Sequence, residues 1–357
     1  MNKKITIITI LFVLLASVTF LSARNAKQDL YLKAVAEKNP QSKFELLKEY
    51  VTKFGSKKDK FLRFIYLNLT DTAFKLKLYD ETIQYGETAM TYDEFQATNK
   101  LRLYISLANS YNVTKKDLDK AILYADKMIE VSKSLIDQAE KTSKDPQKTK
   151  QFVENYKNFY IAPACRIQAK IYYDKGEIKK AADKALESYE NDKSKKSAAM
   201  AFSLGINLYR KKQVADAITT VETVISKDKP KFREANFLAT AYYKTNNKDK
   251  AIHYFELAYQ AKHKMDLALK IGRLVHKAHP QKGLKYFAEA YVLGELNKDS
   301  DAFKYLQQLY FNRIAKDLTA AEKEQGFKDV VNAAKSRLGI DSAPAEETAG
   351  ETATTQN

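Results

Sequence analysis

In the stretch AYYKTNNKDKAIHYFELA, from Ala241 to Ala258, one helical stripe ends at a short polar turn and a second begins. Ala251, Phe255 and Ala258 stand four and three residues apart, which puts all three on one face of a helix. Tyr242 closes a similar stripe with Leu238 and Ala239 before the turn. Two short amphipathic helices joined in this way cannot bury their apolar faces alone. Each pair needs a neighbour, so a chain written like this must stack copies of the unit.

The copies are present. Thirty-four residues upstream, LGINLYRKKQVADAITTVETV sets Leu204, Gly205 and Leu208 before its turn and Ala217, Val221 and Val224 after it. AKIYYDKGEIKKAADKALES gives Ala169, Tyr172, Gly176, Ala181, Ala185 and Ser188, and a stretch with a longer turn gives Tyr104, Leu107, Ala108, Tyr111, Ala121, Ala125 and Met128. Degenerate copies flank these, at Tyr66, Leu69, Ala73, Thr82, Gly86 and Ala89 and at Leu274, Gly283, Phe287 and Ala290.

Order and period over about residues 60–292 resemble the tetratricopeptide repeat, in which small residues let two helices cross closely and large ones fill the space between pairs. The chain has no tryptophan; Tyr66, Tyr104, Cys165, Ala201, Ala235 and Leu267 occupy the family's tryptophan position. The resemblance implies an all-α fold, a right-handed superhelical solenoid of antiparallel helix pairs. Pairs are expected near 60–90, 101–131, 163–190, 197–227, 232–262 and 266–293. Four prolines, Pro40, Pro146, Pro230 and Pro280, read as helix starts, since proline at the first helical position gives up only an amide that would be unpaired anyway.

The unit is interrupted between Ala121 and Ala181, where the spacing is 60 residues. An extended helical hairpin at about 118–175 accounts for it, with Tyr156, Phe159 and Tyr160 expected to cover Ile129 and Leu135 near its tip. A C-terminal cap is expected at about 297–340, where the alanine signature is lost. The solenoid as a whole spans 24–340. Residues 341–357 carry four acidic residues and no aromatic or branched apolar residue, the composition of a disordered acidic tail.

Residues 1–23 read as a targeting segment. Two lysines precede an uncharged, mostly apolar run from Ile5 to Leu21, and Leu21-Ser22-Ala23 offers a cleavage site. A cleaved signal peptide is favoured over an N-terminal membrane anchor through residues 5–21, and either one exports the body to the periplasm or cell envelope. A lone cysteine, Cys165, allows no intrachain disulfide and falls at a core position.

Net charge is +17, which attracts anionic partners. Only nine of the 61 basic residues are arginine, and phosphate recognition favours the arginine fork, so nucleic acid is an unlikely partner. No catalytic motif, metal-ligand spacing or phosphate-cradling glycine loop is present, so the sequence points away from an enzyme and implies no cofactor or metal. The resemblance implies instead a protein-interaction module or scaffold whose concave groove is lined by the first helix of each pair. The family's groove positions fall on Arg166, Lys170 and Tyr173, then Phe202, Ile206, Tyr209 and Arg210, then Arg233, Asn236, Thr240, Tyr243 and Lys244. Tyrosines flanked by cations suit an extended, acidic peptide. The family's two-carboxylate clamp is not reproduced, because Arg166 stands where its lysine would be and Lys170 where its asparagine would be. The other reading is a structural envelope protein that meets membrane or anionic polymer through its basic surface.

Overall fold

The computed structural model describes residues 26–56, 61–92, 95–225 and 229–340, and no strand occurs among them. Helix α1 covers residues 26–36. It is followed by α2 (Pro40–Phe54), α3 (Leu62–Lys75), α4 (Tyr79–Met90), α5 (Ala97–Thr114) and α6 (Leu118–Thr142). α7 (Pro146–Tyr156) runs through a π turn (Lys157–Ile161) into α8 (Ala162–Asp174), and α9 spans Ile178–Asp192. Next come α10 (Lys195–Arg210), α11 (Val214–Val224), α12 (Phe232–Lys244), α13 (Lys248–Ala261), α14 (Met265–Val275) and α15 (Pro280–Leu293). α16 (Asp301–Leu309) ends in a second π turn (Tyr310–Ile314), and α17 (Ala320–Arg337) is the last helix. The fold is all-α, and every helix pair expected from the small-residue stripes is present. Residues 1–23 and the tail from Asp341 lie outside the described residues. Among the described residues no helix is long and apolar enough to cross a membrane.

The chain divides into two compact units, Met1–Leu204 and Gly205–Asn357. In the first, the pairs α3–α4, α5–α6 and α8–α9 pack most closely, each on its neighbours in sequence. Leu101, Leu107, Ala108, Ala121, Ala125 and Met128 are buried together with Cys165 and Ile171, so the stripe alanines sit where the helices cross. In the second unit α12–α13 and α14–α15 form the tightest pairs. A Cβ on Gly205 would lie 2.6 Å from Val221 Cγ2, which explains why α10 carries glycine where it meets α11. Burial pushes the Cys165 thiol up to about 12, so the buried group is an inert core residue.

The turn inside four of the pairs, α3–α4, α8–α9, α10–α11 and α12–α13, has one geometry. Lys77, Gly176, Lys212 and Asn246 all have positive φ, between 60° and 79°. Around each, two backbone amides return to the last turn of the first helix: Lys212 N–H to Tyr209 O and Gln213 N–H to Leu208 O, Asn246 N–H to Tyr243 O and Asn247 N–H to Tyr242 O. These are the paired bonds of a Schellman cap with one left-handed residue.

Two expectations need correction. Pro230 does not start a helix, because α12 begins at Phe232 behind an extended Lys231 whose amide donates to Glu234 Oε2 at 2.9 Å. Pro40, Pro146 and Pro280 do open α2, α7 and α15. Tyr156 and Tyr160 pack against the cluster that holds Ile129 and Leu135, but Phe159 turns away and is 64% exposed. The cause is the π turn, which closes with Ala162 N–H donating to Lys157 O. Its extra residue rotates the helix at Phe159, just before Pro163, which has no amide to give and would crowd a regular turn's carbonyl. Along its length α7 itself buries no residue; its aromatic rings, Phe152 and Tyr156, stack on each other 4.3 Å apart and are half-buried.

Candidate functional site

The first helix of each pair carries the residues that the sequence placed in a groove. In the first unit these are Arg166, Lys170, Tyr173 and Phe202. Arg166 is engaged internally: its Nη1 donates to Asp192 at 2.6 Å, Ser197 Oγ at 2.9 Å and Ser188 Oγ at 3.2 Å. Its side chain is 15% exposed and that of Asp192 8%. Burial alone would raise the Asp192 carboxyl, but donation from Ser194, Ser197 and Arg166 more than offsets it and holds the group below the usual carboxylate range. The cluster pins the end of α9 to α8. Lys170 and Tyr173 point to solvent, with Tyr173 46% exposed, and Phe202 is half-buried.

In the second unit, Tyr209 of α10 meets Phe237 of α12 edge to face, with ring centroids 5.5 Å apart. Lys244 Nζ lies 5.1 Å from the Tyr209 ring centroid, so the ends of the two first helices adjoin. Tyr243, 54% exposed, is next to this contact in the chain, and Arg210 and Arg233 are exposed as well. Ile206, Asn236 and Thr240 are half-buried, and the Thr240 hydroxyl donates to Asn236 O at 2.8 Å. α10 contains no acidic residue. α12 contains one, Glu234, which accepts the Lys231 amide at the helix start. The face is therefore aromatic and cationic within this unit.

A recurring polar cluster escaped the sequence reading. In the first unit Glu87 of α4 accepts from Tyr111 of α5 at 2.6 Å, and from Lys120 at 2.9 Å and Tyr124 at 3.0 Å, both of α6. In the second, Glu222 of α11 accepts from Tyr242 of α12 at 2.6 Å and Tyr254 of α13 at 3.1 Å, with Lys250 Nζ at 3.7 Å. The tyrosine rings stack in both, at interplanar angles of 15° and 4°. Glu256 repeats two arms of the pattern, with Lys282 at 2.7 Å and Tyr286 at 3.0 Å. Each carboxylate ties the second helix of one pair to the next pair. The signal was present as KAILY, KAIHY and KGLKY, a lysine and a tyrosine four residues apart at the start of a second helix, with a glutamate one pair earlier.

The geometry defines a tetratricopeptide-like helix-pair repeat protein. No protein-family profile matches the chain, and no curated protein does. Solved structures give low-level likenesses. A tetratricopeptide repeat protein from Parabacteroides merdae shares 13% identity over 80% of this chain and 99% of its own, with a TM-score of 0.38. The C-terminal part of a TPR repeat-containing protein from Cytophaga hutchinsonii shares 16% over 77% of this chain and 100% of its own, with a TM-score of 0.35. The MamA protein shares 15% over 51% of this chain and 98% of its own, with a TM-score of 0.33. The repeat assignment rests on the helix pairs themselves and not on these scores.

Proposed function

We propose that the protein is an exported interaction scaffold that holds an extended, acidic segment of a partner protein against the first helices of its repeats. The observation that carries this reading is the face of the second unit formed by Tyr209, Phe237, Tyr243 and Lys244, with Arg210 beside it and no carboxylate contributed by α10. Aromatic rings supply contact area at low entropic cost, and a cationic rim favours carboxylates and raises association rates. Lys170 and Tyr173 offer the same chemistry in the first unit.

The test replaces Tyr209 and Tyr243 with alanine and Arg210 and Lys170 with glutamate, leaving Arg166 untouched because it ties α8 to α9. Loss of co-purifying protein partners from a variant of unchanged helicity is expected. Full retention would overturn the assignment to this face. Export rests on the two lysines and apolar run within residues 1–23. Intact mass of the native protein checks it, with a mature chain starting at Arg24 expected; a cytosolic protein that keeps Met1 would rule it out.

A further inference from the structure

At the C-terminal end of α14, helices α15 and α16 and the second π turn leave a cavity of about 260 Å³ within the second unit. Its floor is apolar: Phe287 and Leu309 are buried, and the Phe287 and Tyr305 rings stack 5.2 Å apart at 15°. Its rim is made by His276, Gln308, Asn312 and Arg313. No carboxylate among the described residues lines it. Arg313 is held in place by donating from Nη1 to His276 O at 3.1 Å and from Nη2 to Lys277 O at 3.2 Å, neutral acceptors, and no acid among the described residues pairs with it. The nearby Asp301 is already paired, with Arg273 at 2.6 Å, and that guanidinium lies 4.8 Å over Tyr305.

The walls are fixed by close approaches. A Cβ on Gly283 would lie 2.6 Å from His276 Cβ, so α15 is pressed against that histidine. His276 Nδ1 is engaged with the carbonyls of Arg273 at 3.0 Å and Gly272 at 3.3 Å, which fixes the ring. Gly326 of α17 meets the Tyr310 hydroxyl in the same way and braces the π turn from behind. That turn, closed by Ala315 N–H to Tyr310 O at 2.8 Å, contributes Asn312 and Arg313 to the rim. A widened turn of this kind is costly in an ordinary helix and recurs at ligand sites.

From this we infer that the cavity binds a monocarboxylate carried on a short hydrocarbon body. The carboxylate meets Arg313 and the side-chain amides of Gln308 and Asn312, and the hydrocarbon lies against Tyr305, the lining ring that is only half-buried. Charge-assisted bonds to a guanidinium favour the anion. The accessible part of the Tyr305 ring favours an organic acid over inorganic phosphate, which has no apolar surface to bury against it. The same chemistry is carried by a free branched acid and by the C-terminal residue of a partner chain.

The experiment titrates the full chain with 4-methylpentanoate, its neutral amide and N-acetyl-leucine, and follows the side-chain amide resonances of Gln308 and Asn312 by NMR. Saturable shifts are expected at about 1 mM acid or below, with the neutral amide about tenfold weaker or worse. Gln308→Phe, which fills the mouth, should abolish the shift of the Asn312 amide, and Arg313→Gln should abolish both shifts. Because Arg313 also holds backbone carbonyls, Gln308→Phe at unchanged helicity is the deciding variant. Binding of 4-methylpentanoate alone supports the inference with a free small acid as the source; binding of N-acetyl-leucine at equal or higher affinity supports it with a chain end as the source. Failure of both acids to bind, equal binding of the amide, or binding that survives Gln308→Phe would each overturn it.

Discussion

Lysine is an uncomfortable occupant of the left-handed turn position. Lys77 and Lys212 hold φ of 62° and 66° where the equivalent turns have Gly176 and Asn246. A side chain with a Cβ pays roughly 1–2 kcal/mol in that region, partly returned by glycine's greater freedom when unfolded. Lys212→Gly is therefore expected to stabilise the chain by about 0.5–1 kcal/mol, read as a higher urea midpoint. An unchanged or lower midpoint would mean that the lysine is held there by contacts worth more than the strain. Glu87 supplies a second residue-level expectation. Burial would raise its carboxyl, but the bonds from Tyr111, Lys120 and Tyr124 outweigh that and depress it. A depressed carboxylate contributes stability above its ordinary value, and that stability is lost as pH falls through the folded value. The stability difference between the protein and Glu87→Gln should thus be largest at neutral pH and shrink steadily once pH drops below about 4. Thermal melts across that range check it, and a difference that does not vary with pH would place the worth of Glu87 in packing alone.

Among the elements, the helix pairs were legible because their crossing points demand small residues at helical spacing, and Ala217, Ala251 and Ala258 are all fully buried. Three features were not legible, for a common reason. Whether Arg166 faces a ligand or its own chain depends on Ser188, Asp192 and Ser197, brought to it by folding of the next helix and turn. That Pro230 stands outside its helix depends on a reach-back from Glu234 to the Lys231 amide. The π turns leave no periodic mark, since a single added residue looks like noise in a stripe. That added residue has a testable role in the hairpin of α6 and α7. Deleting Asn158 should restore a regular helix and rotate Phe152 and Tyr156 by about 100° relative to α6. Amides of residues 146–156 should then exchange faster, while α12 and α13 keep their protection. Equal protection of the hairpin in the deletion would show that the π turn does not set its register. The cavity beside the second π turn was equally hidden, since His276, Phe287 and Arg313 meet only through the packing of α14, α15 and the turn.

For the whole molecule, the dominant contacts are between helices close in sequence, and carboxylates such as Glu87 and Glu222 rivet one pair to the next. Nothing covalent reinforces them, as Cys165 is a free, buried thiol. Such a chain has a mechanical character that its thermal behaviour does not reveal. Tension applied through the described residues of a unit meets no long-range strand pairing to shear, only successive local interfaces loaded one after another. Each repeat should therefore peel at low force and release its own length of about 34 residues, roughly 110 Å of contour. Pulled in an optical trap, the protein should yield a staircase of small, reversible steps and recover them on relaxation, acting as an extensible link between whatever its ends are attached to. A single large rupture would instead reveal cooperativity reaching well beyond neighbouring pairs.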